Sequence, residues 1–391
     1  MKIMSLNVGS SSLKFCLFNM KDESVIAKGR VERIGIEGSN FWVKFSGEII
    51  KQELEVLTHG DALKLLLDKL ISLNIISNFD DIKCVGHRVV HGGDYFRESV
   101  IVDDAVLKKL EEIKGFAVLH NPISLEVIKV CLEMLPNSIM TVSFDTAFHQ
   151  TIDKDSYIYA VPYKWYSDYG VKKYGFHGVS HQFIANSVKR LLGKDEYKLI
   201  SCHIGNGVSI TAIKDGKSVD TSMGFTPLSG AVMGTRCGDV DVSIVPFIME
   251  KEGKNASEVI DDLNKHSGLL GLSEYSGNLY DIIEKSSEQD PKSVLAKNKF
   301  IRKIVDYIAQ YYVLLGGTDV IVFTGGVENI VSIRREICEK LSCLGVEIDL
   351  DSNNICGQTV KISSKNSKID VYVIPTDEEL MIARDAVKLI Q

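Results

Sequence analysis

Two short stretches of this chain look built to hold anions. Asn7 to Phe15 reads NVGSSSLKF. Gly9 lets the backbone turn tightly, the amides and hydroxyls of Ser10, Ser11 and Ser12 can donate to phosphate oxygens, and Lys14 adds a cation. Ser201 to Ile210, SCHIGNGVSI, repeats the device with Gly205, Asn206 and Gly207 behind His203. Either stretch alone is also an ordinary hairpin turn. As a pair they gain weight, because two such turns facing across a cleft can hold adjacent phosphates. The chain has no G-x-x-x-x-G-K-[ST] segment, so it is not a P-loop nucleotidase.

Five further stretches carry charged or titratable groups at glycine turns or at the ends of strands and helices. In HRVVHGG (87–93), Arg88 ends an apolar run before a Gly-Gly turn, where a guanidinium can fork a carboxylate or phosphoryl group or form a structural salt bridge. In SFDTAFH (143–149), Asp145 follows an apolar strand, where open α/β sheets keep their ligands and where an aspartate also caps helices. In YGFHGVSH (174–181), His177 lies between Gly175 and Gly178, and the glycines make it a loop residue rather than half of a helical metal pair with His181. DTSMGFTPLSGAVMGTRCGDVD (220–241) is too long and glycine-rich for an ordinary connection, and its Arg236 can reach an anion. In IPTDEELMIARD (374–385), Glu378 and Glu379 suit the dipole of a helix start, and a carboxylate near phosphates can also hold Mg²⁺ through water.

These residues need elements to position them. KIMSLNV and LKFCLF read as strands around the first turn, and YKLISCHI and VSITAI as strands around the second, with Asp215-Gly216 as the next hairpin turn. IKCVGHRVV, SIMTVSF, DVIVF and VYVI read as further strands. Asp61 to Asn74, with Leu65, Leu66, Leu70 and Leu73 at helical spacing, reads as an amphipathic helix. Asp103 to Lys114 is a helix closed by Gly115, Asn121-Pro122 starts another with Asn121 as its cap, and one begins near Asn329. Thr376 and Glu379 stand at capping-box spacing before the last helix. The same strand, glycine turn and strand in both halves, followed by alternating strands and helices, predicts an internally duplicated α/β protein with a cleft between the halves.

Bulk properties narrow the function. A length of 391 residues favours two domains, and 45% hydrophobic with 25% charged residues is an ordinary globular balance. A net charge of −7 argues against nucleic-acid or anionic-membrane binding, though not against a local phosphate site. Eight cysteines occur without a C-x-x-C pair, which fits a reducing cytoplasm, and no apolar run is long enough for a signal peptide or a membrane span.

Taken together, these segments resemble the acetate and propionate kinase family over Asn7 to Arg384, with HRVVHGG, YGFHGVSH and DTSMGFTPL…MGTRCGDVD as long, specific matches. The family belongs with actin, sugar kinases and Hsp70 chaperones. The resemblance implies two duplicated actin-like (ribonuclease H-like) α/β domains around a central cleft, residues 1–148 plus 380–391 and residues 149–379. It implies reversible, Mg²⁺-dependent transfer of the ATP γ-phosphoryl group to acetate in a cytoplasmic homodimer, with Mn²⁺ as an alternative ion. Asn7, Ser10, Ser12 and Lys14 match one phosphate motif; His203, Gly205, Asn206 and Gly207 match the other. Arg88 and Arg236 match the arginines that bracket the carboxylate and the transferring group, His177 the transition-state stabiliser and Asp145 the essential aspartate. Glu378, with Asn7, matches the metal site, and Val90, Leu119, Phe176 and Pro227 match the apolar pocket for the acyl methyl. The family's nucleoside loop corresponds to Gly325, Gly326, Glu328 and Asn329, one residue shorter here. Its Asp-x-Arg segment is replaced by Asn278 and Tyr280, and Ser229 stands where Glu is common. The nucleoside-side departures open GTP, pyrophosphate or polyphosphate as alternative donors, and propionate is the alternative acceptor because one methylene in an apolar pocket changes selectivity only modestly. A nucleotide-binding regulator without catalysis is the reading from another class.

Overall fold

A strand with apolar residues on both faces needs cover on both faces, and most strands here are of that kind. The structure, a computed structural model, describes residues 1–117 and 120–391. It divides into two compact units, Met1–Phe148 with Asp377–Gln391, and His149–Thr376.

In the first unit the strands are β1 (Lys2–Gly9), β2 (Ser12–Asn19), β3 (Ser24–Glu32), β4 (Asn40–Phe45), β5 (Glu48–Glu53), β6 (Ile82–Val89), β7 (Val100–Ile101) and β8 (Ile139–Phe144). They form one sheet in the order β5-β4-β3-β2-β1-β6-β8-β7. β1 pairs antiparallel with β2 and parallel with β6, which pairs parallel with β8. Side chains alternate between the faces. Met4, Leu6 and Val8 join a core with the helices His59–Ser72 and Asn121–Met134, whereas Ile3, Cys16, Phe18 and Cys84 pack with Ala383 and Ala386 of the last helix, Glu378–Ile390. Gly86 is small for this reason: a Cβ there would lie 2.5 Å from Ile382 Cγ2. By the same alternation Asn7 and Arg88 lie on the face that the last helix covers.

In the second unit β9 (Lys198–Ile204), β10 (Val208–Lys214), β11 (Lys217–Thr221), β12 (Val320–Thr324), β13 (Val360–Lys361) and β14 (Asp370–Val373) form a sheet in the order β11-β10-β9-β12-β14-β13. The central run β11-β10-β9-β12-β14 has the order and strand directions of β3-β2-β1-β6-β8. The duplication expected from the paired glycine turns is therefore present in the topology. Asp215 and Gly216, at φ 52° and 80°, make the turn between β10 and β11.

Three expected caps differ. Asn121 does not cap its helix; His120 holds that position, and the Asn121 side chain accepts from His91 N at 3.2 Å and donates to His91 O at 2.8 Å, clasping the HGG turn. The last helix is capped by Asp377, whose Oδ1 accepts from Leu380 N at 2.9 Å, while Thr376 is engaged by Ser180 at 2.9 Å. Gly115 closes no helix, because a 3₁₀ turn, Lys114–Ala117, continues from the helix Asp104–Ile113. The helix expected near Asn329 starts at Val331, after a 3₁₀ turn over Val327–Asn329.

Candidate active site

In the first unit the site residues gather around Arg88. Its Nε and Nη2 donate to Asp145 at 2.8 and 2.6 Å, a two-point fork, and Nη1 donates to Asn7 Oδ1 at 3.1 Å. Burial opposes the guanidinium charge, but Asp145, Glu378 and Glu379 together outweigh it, so its pKa is raised. Asp145 is 2% exposed, just past the end of β8. Glu378, in the first turn of the last helix, lies 4.0 Å from Arg88 Nε. Burial raises the Glu378 carboxyl above its ordinary value, against the pull of Arg88, and Asp145 and Glu379 add to the rise. Asp377 is raised too, first by burial. Lys14 is tied to Glu379 at 2.5 Å. Ser10 is exposed and Ser12 half-buried at the tip of the β1–β2 hairpin, and Gly9 O is held by His59 Nε2 at 2.9 Å. Val90 is half-buried just past β6; Leu119 lies outside the described residues.

A Mg²⁺ ion suits this chemistry. Asp145, Glu378 and Glu379 offer hard oxygen donors against Arg88 and Lys14, and the raised Glu378 marks a carboxylate short of positive charge. Among the described residues no three His, Cys, Asp or Glu side chains would hold a metal by themselves.

In the second unit the residues converge on Gly207. A Cβ there would lie 3.3 Å from His177 Nε2 and 3.6 Å from Arg236 Nη1. His177 sits at φ 56°, a left-handed backbone uncommon for a non-glycine residue, at the N-cap of the helix Gly178–Leu192. Its Nδ1 bonds Ser209 Oγ at 2.9 Å, and its ring stacks on His203 with centroids 4.2 Å apart. Arg236 has no carboxylate within ion-pair distance among the described residues; Nη1 donates to Pro227 O at 3.0 Å and lies 3.5 Å from Met233 Sδ. Burial lowers its pKa, though an arginine stays charged. A half-buried cation without an acid partner is set up to receive an anion. Phe176 is 3% exposed and its carbonyl bonds His149 Nε2 at 3.0 Å.

Three glycine-rich segments meet beside this point. Gly205 approaches Gly325 so closely that a Cβ would lie 2.5 Å from Gly325 O. Gly325 and Gly326 take φ of 85° and 121°, and Gly326 N donates to the Glu328 carboxylate. Gly234 N donates to Asn206 O at 3.1 Å and backs onto Gly277. Asn329 N closes the loop on Gly326 O at 3.0 Å. Arg334, fully buried, fixes this loop by donating to Glu328 O and to Asn353.

The family model of the acetokinase family matches residues 2–384. The chain belongs to the acetokinase family. An acetate kinase of Anoxybacillus flavithermus is 48% identical over 391 residues, 99% of this chain and 98% of that one. The crystal structure of Porphyromonas gingivalis acetate kinase matches with a TM-score of 0.95 at 39% identity, over 100% of both chains. A propionate kinase from Francisella tularensis matches with 0.94 at 38%, over 99% of both. This acetokinase is therefore a phosphotransferase with a carboxyl group as acceptor, and a small carboxylate and ATP are its substrates.

Sequence reasoning did not tie Ser209, Ser201 and His181 to His177, although all three stand in stretches it singled out. The one signal is polarity at alternate positions of strands that are otherwise apolar. Of the departures on the nucleoside side, Asn278 has a structural role. Asn278 caps the helix Leu279–Ser287, accepting from Tyr280 N at 2.9 Å, as an aspartate would, and Tyr280 is exposed. Ser229 is half-buried in the long loop.

Proposed function

We propose that this acetokinase makes acetyl phosphate and ADP reversibly from acetate and ATP. The observation that carries the reading is the convergence on Gly207 of His177 Nε2 and of Arg236 Nη1, a guanidinium with no acid partner among the described residues, beside glycine turns that offer backbone amides. The acceptor carboxylate is ionised at neutral pH, so it attacks the γ-phosphorus without a general base. The new O–P bond forms as the bond to the β-phosphate bridging oxygen breaks, and ADP leaves with those electrons. Catalysis then consists of positioning and of holding charge on the equatorial oxygens. We assign Arg88 and Arg236 to the carboxylate and the transferring group, His177 to donation in the transition state, and Asp145 to orienting Arg88. Ser10, Ser12 and Lys14, with His203, Gly205, Asn206 and Gly207, are assigned to the phosphates, and Gly325, Gly326, Glu328 and Asn329 to the nucleoside side. Val90, Leu119, Phe176 and Pro227 are assigned to the acyl methyl. Asn7 and Glu378 would hold Mg²⁺, or Mn²⁺ in its place, which supplies positive charge to the phosphates.

We also propose a cytoplasmic homodimer of two actin-like domains per chain, with domain limits near residues 148 and 379. The helix Ile244–Glu252 buries none of its residues, and Val242 and Phe247 are 81% and 57% exposed beside Val240 and Ile244, an apolar patch suited to a second copy. All eight cysteines are free, and no helix among the described residues is long and apolar enough to cross a membrane.

A hydroxamate assay for acyl phosphate, crossing ATP, GTP, pyrophosphate and polyphosphate with acetate, propionate and butyrate, tests the reading. Acetate with ATP is expected to lead, propionate to follow within the modest margin of one methylene, and butyrate to trail. With the charges of the Asp-x-Arg segment gone, GTP should also be used. No acyl phosphate from any pair would overturn the assignment in favour of a regulatory protein.

A further inference from the structure

Behind His177 lies a line of buried hydrogen bonds within the second unit. Ser209 Oγ bonds both His177 Nδ1, at 2.9 Å, and His181 Nε2, at 2.7 Å. His181 Nδ1 bonds Ser201 Oγ at 2.9 Å. His181, Ser201 and Ser209 are each 0% exposed. Burial, with His149 and His203 near, holds His181 well below the ordinary histidine value, so it is neutral and carries one ring proton.

The proton inventory gives this line a direction. Each hydroxyl has one hydrogen to donate. Ser201 Oγ has no hydrogen-bond partner among the described residues except His181 Nδ1. If His181 donated from Nδ1, the Ser201 hydrogen would be buried without an acceptor. Ser201 therefore donates to His181 Nδ1, and the His181 proton sits on Nε2 and goes to Ser209. Ser209 must then donate its own hydrogen to His177 Nδ1. A neutral His177 is left with its proton on Nε2, the nitrogen that faces Gly207.

We propose that Ser201, His181 and Ser209 are positioning residues that lock neutral His177 in its Nε2–H form. His177 then presents a donor to the transferring phosphoryl group without first having to be protonated. The inference rests on the assignment of His177 as that donor. Among the described residues, the titratable and charged groups around it include His203, stacked on the ring, His181 behind Ser209 with His149 beyond, and Arg236 across Gly207.

Two measurements test it on the full-length enzyme. In ¹⁵N-histidine spectra at about pH 8, His177, assigned through a His177→Gln control, should show a protonated Nε2 and an unprotonated Nδ1. A protonated Nδ1 would overturn the relay, and this readout does not depend on turnover. In kinetics, wild-type kcat should stay level as pH rises through the imidazole range, about 6.5. Ser209→Ala should keep its rate at low pH, where a cationic His177 donates from Nε2 anyway. It should lose about tenfold or more by pH 8 with little change in the KM for ATP. Ser209→Thr, which keeps the hydroxyl, should restore the level profile. If Ser209→Ala folds and keeps the wild-type profile, the relay does not set the donor. A wild type with no acyl-phosphate activity but the expected spectrum would instead strike the proposed reaction.

Discussion

Arg88 and Arg236 are the same side chain in opposite electrostatic states. Arg88 is forked by Asp145 and held by Asn7, whereas Arg236 has a backbone carbonyl and a thioether. On the proposed assignment, Asp145 neutralises and aims Arg88 rather than taking a proton. An Asp145→Asn enzyme keeps the shape but loses the charge and one arm of the fork. Its kcat should fall by about 10²–10³-fold, and nearly normal turnover would show that the charge is not needed. Glu378 is the reverse case, a group whose burial works against the fold. Its pKa is raised in the folded state above the ordinary 4.5, so the folded chain binds that proton more tightly than the unfolded one. Its contribution to stability is present below that ordinary value and is lost as pH rises through the folded value. Glu378→Gln should therefore be inactive yet melt about 1–3 °C higher at neutral pH, with the difference vanishing at low pH. Calorimetry across pH checks it, and a variant that melts lower at neutral pH contradicts it.

At the scale of elements, the crossing of Gly205 over Gly325 is the tightest constraint on the glycine turns. A methyl at Gly205 meets a backbone oxygen, which has little freedom to step aside. Gly205→Ala should raise the KM for ATP about tenfold while leaving that for acetate near wild type, whereas Gly115→Ala, with nothing within 4 Å among the described residues, should be silent. Equal rises for both substrates would mean a general loss of structure. These turns were legible in the sequence because a glycine between two apolar strands marks where the backbone must bend tightly or let another group come close. Most strands were legible too, since VSITAI and DVIVF carry the pattern themselves. The caps at Asn121 and Thr376 were misplaced, because the side chains that could cap are claimed by His91 and by Ser180, neighbours distant in sequence. His177 had no visible partner for the same reason, as Ser209 lies 32 residues away. The fork of Asp145 on Arg88 spans 57 residues, and only the pairing of β6 with β8 brings the two together.

At the scale of the molecule, the helix Ile244–Glu252 stands uncovered in a lone chain. Phe247→Asp combined with Val242→Asp should shift the mass in light scattering from dimer to monomer, because the charges would be buried unpaired in the contact. A dimer that survives both changes would place the contact elsewhere. The discontinuity of the first unit has a consequence for how the protein is made. The second unit is one unbroken stretch, His149–Thr376, and emerges whole from the ribosome. The first unit takes in Met1–Phe148 but is completed only by Asp377–Gln391, beyond the second. Until those arrive, Ile3, Phe18 and Cys84 lack Ala383 and Ala386, and Arg88 lacks Glu378. The unit whose synthesis starts first thus finishes folding only after the second has been made, and a chain cut before Asp377 would leave one sheet face bare.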